Sequence, residues 1–204
     1  NPLVIVDESH HARSELSLEM LENFNPCFVL DLTATPKKES NIISYVDAVQ
    51  LKNEHMVKLP VIVYNRDSQA EVLMDTIDLR DKLEKIAAAE YQNGGKYIRP
   101  IALFQAQPKG KEDATTFEKL RAELVNTGIP AEYIAIRTAD VNELKNVDLL
   151  SPDCPIRYII TVNALKEGWD CPFAYVLATV ANRTSTVDVE QILGRILRLP
   201  YTAE

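Results

Sequence analysis

The apolar run Leu3–Val6 stops abruptly at Asp7, Glu8, Ser9, His10 and His11. An unbroken apolar run of this length reads as a strand buried on both faces of a parallel sheet, which puts the polar cluster at the strand's carboxyl end. That edge is where open α/β sheets bind ligands. At the far end of the chain, "STVDVEQILGRILRLP" carries Gln191, Arg195 and Arg198 at i, i+4 and i+7, so a helix would place all three on one face. Guanidinium forks match phosphate oxygens, which makes an anion the natural ligand of that face. Each group also has a plainer explanation. Acidic residues after a strand commonly open a solvated loop, and arginines on a helix commonly form a solvated face. Gly194 weighs against the second, because glycine inside a helix costs about 1 kcal/mol relative to alanine and calls for a reason such as close approach of another group.

The elements that would position these residues follow the order expected of a parallel sheet. Leu3–Val6 and Cys27–Leu32 read as strands, with a helix from about Ser14 to Phe24 between them, which makes one βαβ unit. The mixed stretch Asn41–Pro60 reads as a passage between domains, and Val61–Tyr64 opens a second strand series. Val72, Leu79, Leu83 and Ile86 recur at helical spacing up to "NGG". "IRPIALFQA" is a buried strand. A helix follows, with Thr115 and Glu118 spaced as a capping box and Phe117, Leu120 and Leu124 as its apolar stripe. Strands are expected at Glu132–Arg137, Ile156–Val162 and Tyr175–Val180, and a last helix from about Thr186 to Leu197. Alternating strands and helices predict right-handed parallel crossovers.

Composition narrows the function classes. With 22 basic and 30 acidic residues the net charge is −8, which argues against a surface built mainly for non-specific nucleic-acid binding and leaves a local groove possible. Cys27, Cys154 and Cys171 form no CxxC pair, so neither a disulfide framework nor a zinc knuckle is indicated. No long apolar run or signal pattern appears, and the expected setting is the cytoplasm, with no membrane partner. The sequence starts inside a strand without a methionine, and we expect it to belong to something longer.

"VDESH", "LTATP", "LKEGWDCP" and "QILGRILR" occur in that order and resemble motifs II, III, V and VI of superfamily 2 (DEAD/DEAH-type) helicases and translocases. "EGWDCP" followed by "QILGRILRLP" is similar to the restriction (Res) subunit of type III restriction enzymes. The resemblance implies an α/β fold of parallel-sheet, RecA-like (P-loop NTPase) lobes, one partial and one complete. Residues 1–57 would be the end of the first, with motifs II and III, and residues 58–204 the second, with motifs IV, V and VI. It implies an ATP- and Mg²⁺-dependent motor on double-stranded DNA, with a modification or specificity methyltransferase subunit as a further partner.

Residue by residue, Asp7 resembles the carboxylate that holds Mg²⁺ and Glu8 the one that handles the attacking water, a division of labour that phosphoryl transfer requires. His10 resembles the residue coupling nucleotide to nucleic acid, through Gln191. Thr33 and Thr35 match the hydroxyls of motif III, which link hydrolysis to movement. Gly168 and Asp170 match motif V, near nucleotide and nucleic acid. Thr161 stands one position out of register for the threonine that touches the nucleic-acid backbone. Arg198 resembles the arginine finger and Arg195 its companion on the γ-phosphate.

One departure stands out. A GxxxxGK[ST] loop is missing: "NGGKY" has Gly95 and Lys96, but Tyr97 follows and Glu90 stands where the first glycine belongs. Without that cradle of N–H groups the chain is expected to bind ATP weakly and hydrolyse it negligibly. Two other functions fit the same residues: a non-catalytic module docking on DNA or a partner, and an unrelated metal phosphohydrolase built on Asp7 and Glu8.

Overall fold

The structure, a computed structural model, describes residues 1–7, 9, 14–33, 36, 41–107, 116–162, 170–180, 194 and 196–201. The chain divides into two compact units, Asn1–Val46 and Asp47–Glu204.

Unit 1 is a βαβ element. Strand β1 (Leu3–Asp7) pairs in parallel with β2 (Phe28–Leu32), and helix α1 (Glu15–Asn23) connects them. Ser14 caps α1 through its hydroxyl, which accepts from the Ser17 amide at 3.2 Å. The expectation that β1 is buried on both faces is not met: Leu3 and Ile5 are 59% and 58% exposed. Among the described residues β1 pairs with β2 alone, and no described residue of unit 1 is fully buried.

Unit 2 starts earlier than residue 58. Helix α2 (Ala48–Asn53), absent from the sequence-based outline, is fixed by a capping box in which the Asp47 carboxylate accepts from the Gln50 amide at 2.7 Å and Gln50 Oε1 accepts from the Asp47 amide at 3.0 Å. The segment after α2 pairs with the chain's far end, where Lys58 N donates to Leu197 O at 2.6 Å. Val61–Tyr64 is irregular rather than a strand. Helix α3 (Gln69–Gln92) begins at Ser68, whose hydroxyl caps it, and Asn93 and Gly94 end it, the glycine at φ +88°. Its inward face uses Leu73, Thr76, Arg80 and Ala87 as well as the expected stripe, while Ile86 faces solvent.

Strand β3 (Ile101–Gln105) is buried throughout and lies between two parallel neighbours. Helix α4 (Phe117–Asn126) is capped by Thr116, one residue later than expected, with the Thr115 cap outside the described residues. Strands β4 (Ile134–Arg137), β5 (Tyr158–Thr161) and β6 (Ala174–Thr179) complete a parallel sheet in the order β4-β5-β3-β6. Period-two alternation then splits the core into two faces. Ala102, Phe104 and Ile160 join Leu73 of α3 and Leu120 and Leu124 of α4 on one side. Ile101, Leu103 and Ile159 join Phe173 and Ile196 on the other.

Of the expected last helix, Gly194 and Ile196 are helical and Leu197 is already a bend. Arg198 is therefore not on a helical face. It sits in an antiparallel bridge with Val57. Pro200 also disfavours the α conformation at Leu199 directly before it, so the helix is not resumed there. Nor does another group among the described residues crowd Gly194: a Cβ built there meets none of them within 4 Å.

Candidate functional site

Parallel pairing in unit 1 aligns the ends of both strands. Asp7, the last residue of β1, is the register partner of Leu32, and Thr33 follows directly. The Ser9 amide donates to Leu32 O at 3.4 Å, tying the turn after β1 to the end of β2. Asp7 and Thr33 thus share one carboxyl edge. Glu8, His10 and Thr35 lie outside the described residues.

Oxygen donors at a strand end suit Mg²⁺, a hard cation that keeps several waters and takes one or two protein carboxylates with substrate phosphates. Among the described residues no three His, Cys, Asp or Glu side chains converge on one point. A single-carboxylate site at Asp7 is compatible with that habit.

In unit 2 the four strands end in a polar row: Arg137, Thr161, Gln105 and Thr179, in sheet order. Thr179 Oγ1 and Gln105 Oε1 are 3.2 Å apart, and Gln107 Nε2 donates to Val180 O at 3.0 Å. Thr161 is fully buried, and its Oγ1 has no hydrogen-bond partner. The same is true of Nε of Arg137, its register partner on β4. A buried polar atom without a partner costs about 1–3 kcal/mol, so two side by side mark a place where a ligand or water is wanted. Arg137 was not singled out from sequence. Its signal, an arginine ending an apolar strand, is too common to stand out alone.

Asp170 and Arg198 come together. Arg198 Nη1 donates to Asp170 Oδ2 at 3.0 Å, with the two side chains 62% and 39% exposed. A pair so exposed is held weakly, at about 0–1 kcal/mol, and gives way easily to a competing anion. Gly168, Gln191 and Arg195 lie outside the described residues. Close by, Lys58 Nζ donates to the carbonyls of Ala174 and Ile196. Burial lowers its pKa to about 8, with Cys171 and Asp170 pulling the other way. Burial also pushes the Cys171 thiol, 1% exposed, up to about 12.

Comparison with known proteins bears on this arrangement. The family model described as "Type III restriction enzyme, res subunit" matches residues 1–38, the stretch holding Asp7 and Thr33. A relative from Sulfolobus islandicus filamentous virus, "Putative helicase 22", is 20% identical over 97% of this chain and 40% of its own length. A solved structure, "The fragment structure of a putative HsdR subunit of a type I restriction enzyme from Vibrio vulnificus YJ016", aligns at 22% identity with a TM-score of 0.51, over 97% of this chain and 40% of that one. The chain is thus similar to helicase-like proteins and, over its first 38 residues, to the restriction-subunit family. Its α/β units with parallel sheets are RecA-like in fold. The chain spans 40% of the length of each of these two proteins. Among its described residues no helix is long and apolar enough to cross a membrane.

Proposed function

We propose that this helicase-like chain is part of an ATP-dependent motor on double-stranded DNA, in the restriction subunit of a type III enzyme that works in the cytoplasm with a modification or specificity methyltransferase subunit. The type III reading rests on the family model covering the motif II and III residues. ATP supplies the phosphoryl bond whose cleavage drives movement, and Mg²⁺ neutralises its charge.

The chain's own residues divide the work. Asp7 holds the metal through its water shell and Glu8 accepts the proton of the attacking water. Thr33, Thr35 and His10 pass the state of the nucleotide to the DNA side, His10 through Gln191. Gly168 and Asp170 border the nucleotide. Arg195 and Arg198 take the charge that grows on the γ-phosphate. Thr161, with Arg137 beside it, meets a backbone phosphate of the DNA, which would supply the partner their buried polar atoms lack.

The observation that carries the reading is Arg198. A guanidinium kept at the surface on an exchangeable carboxylate 3.0 Å away is poised to leave it for phosphate. In the full-length protein with saturating DNA, Arg198→Ala should lower kcat roughly 10³-fold or more while changing nucleotide affinity less. Arg198→Lys should restore little, because a point charge does not reproduce the planar fork. Near-wild-type turnover in Arg198→Ala would remove the assignment and leave the docking-module reading in its place.

A further inference from the structure

Lys58 belongs to none of the roles above. Its segment runs antiparallel to the one carrying Arg198: Val57 and Arg198 form a bridge, Lys58 N donates to Leu197 O at 2.6 Å, and Leu199 N donates to Met56 O at 3.2 Å. Lys58 Nζ then donates to Ile196 O at 2.6 Å and Ala174 O at 2.7 Å, and lies 4.3 Å from the centre of the Tyr175 ring. Ile196 ends a helix, where the last carbonyls lack intrahelical partners and a cation is favoured. Ala174 starts β6 and is tied back by its amide to Cys171 O at 2.9 Å, one residue after Asp170. A single ammonium therefore holds both backbone segments from which Asp170 and Arg198 project.

Holding backbone in this way is costly. A part-buried ammonium loses some of its hydration, and an apolar side chain of similar length would pack there more cheaply. The retained charge favours a role beyond packing. We propose that Lys58 is a positioning residue for Arg198: its ammonium, bonded to the carbonyls of Ala174 and Ile196, sets the two segments at the separation that presents the Arg198 guanidinium to phosphate. This rests on the reading of Arg198 as the phosphate-facing arginine.

Lys58→Met keeps the length of the stem and removes the charge and the donors. In the full-length protein, kcat of DNA-stimulated ATP hydrolysis should fall roughly tenfold to a hundredfold, the scale of a slightly misplaced catalytic group, with KM for ATP little changed. In an Arg198→Ala background the same substitution should change kcat by less than about twofold, because a residue that acts through another is not additive with it. Independently of turnover, Lys58→Met should raise the rate at which a dicarbonyl reagent modifies Arg198. If Arg198→Ala leaves kcat unchanged, the phosphate reading fails, while faster modification of Arg198 in Lys58→Met still supports the positioning. Unchanged modification, or kcat losses that simply add, would overturn the proposal.

Should Lys58→Met fail to fold, the pH profile decides. Among the described residues the other ionisable groups around Lys58 are Lys52 in α2 and His55 after it, Asp170, Cys171 and Tyr175 on the β6 side, and Arg198. The wild-type kcat should fall as pH rises through about 8, and Lys58→Arg, charged throughout, should lack that fall. The same fall in both proteins would overturn the proposal.

Discussion

Unit 1 and unit 2 use the same arrangement, parallel strands joined through helices, and reach opposite extremes of burial. In unit 1 the apolar side chains of β1, α1 and β2 stay largely in solvent, Leu3, Ile5, Leu16 and Phe28 among them. In unit 2 the residues of β3 are fully covered, because β5 and β6 pair on both of its edges and separate clusters pack on both of its faces. The difference teaches that an unbroken apolar strand records what the chain is able to bury, while the number of neighbouring elements decides what it does bury.

Core truncation should break or sharpen this comparison most strongly. Phe104→Ala should cost about 3–5 kcal/mol by urea unfolding of unit 2, since Phe104 is fully buried between α3 and α4. If it cost less than about 1 kcal/mol, the contrast in burial would have no energetic meaning. Next comes Arg99, a buried guanidinium that donates to the carbonyls of Leu149, Ser151 and Ile156. Arg99→Leu should lose about 1–3 kcal/mol by leaving those carbonyls unpaired. Asp47→Ala removes the capping box of α2 and should cost about 1 kcal/mol, read from the same unfolding curves. Ile5→Ala in unit 1 should stay within about 0.5 kcal/mol, and β1 amides should exchange with solvent faster than those of β3. Slow exchange in β1 would show that its exposed face is covered in solution.

A pH series gives a finer contrast inside unit 2. Lys58 has its folded pKa lowered to about 8 by burial, so the unfolded chain binds more protons there between 8 and 10.5. Its contribution to stability should therefore rise with pH across that window. Cys171, raised from 9.0 to about 12 by burial, works the other way, and its contribution should shrink as pH climbs above 9. Denaturant midpoints of Lys58→Met and Cys171→Ala against pH separate the two. A Lys58→Met profile parallel to the wild type would mean that the lysine is hydrated in solution.

Asp7 at the end of an apolar run, the order of the four motifs and the alternation of strands and helices were legible from residues alone, because period-two and period-3.6 patterns and carboxylate pairs are local signals. Even so, local signals misplaced the cap of α4 by one residue and assigned a strand to Val61–Tyr64. Arg198 shows where such signals end. Its spacing from Gln191 and Arg195 predicts a shared helical face, yet the chain leaves the helix at Leu197 and Arg198 pairs with Val57, 141 positions earlier in the numbering, and with Asp170. The unpartnered Arg137 Nε and Thr161 Oγ1 and the grip of Lys58 on two distant carbonyls belong to the same kind. The sequence alone thus determined which residues have chemistry to offer and which end of each strand they occupy. Tertiary structure decided which of them meet and which carry uncompensated polarity, because hydrogen bonding and burial depend on neighbours that sequence spacing does not encode.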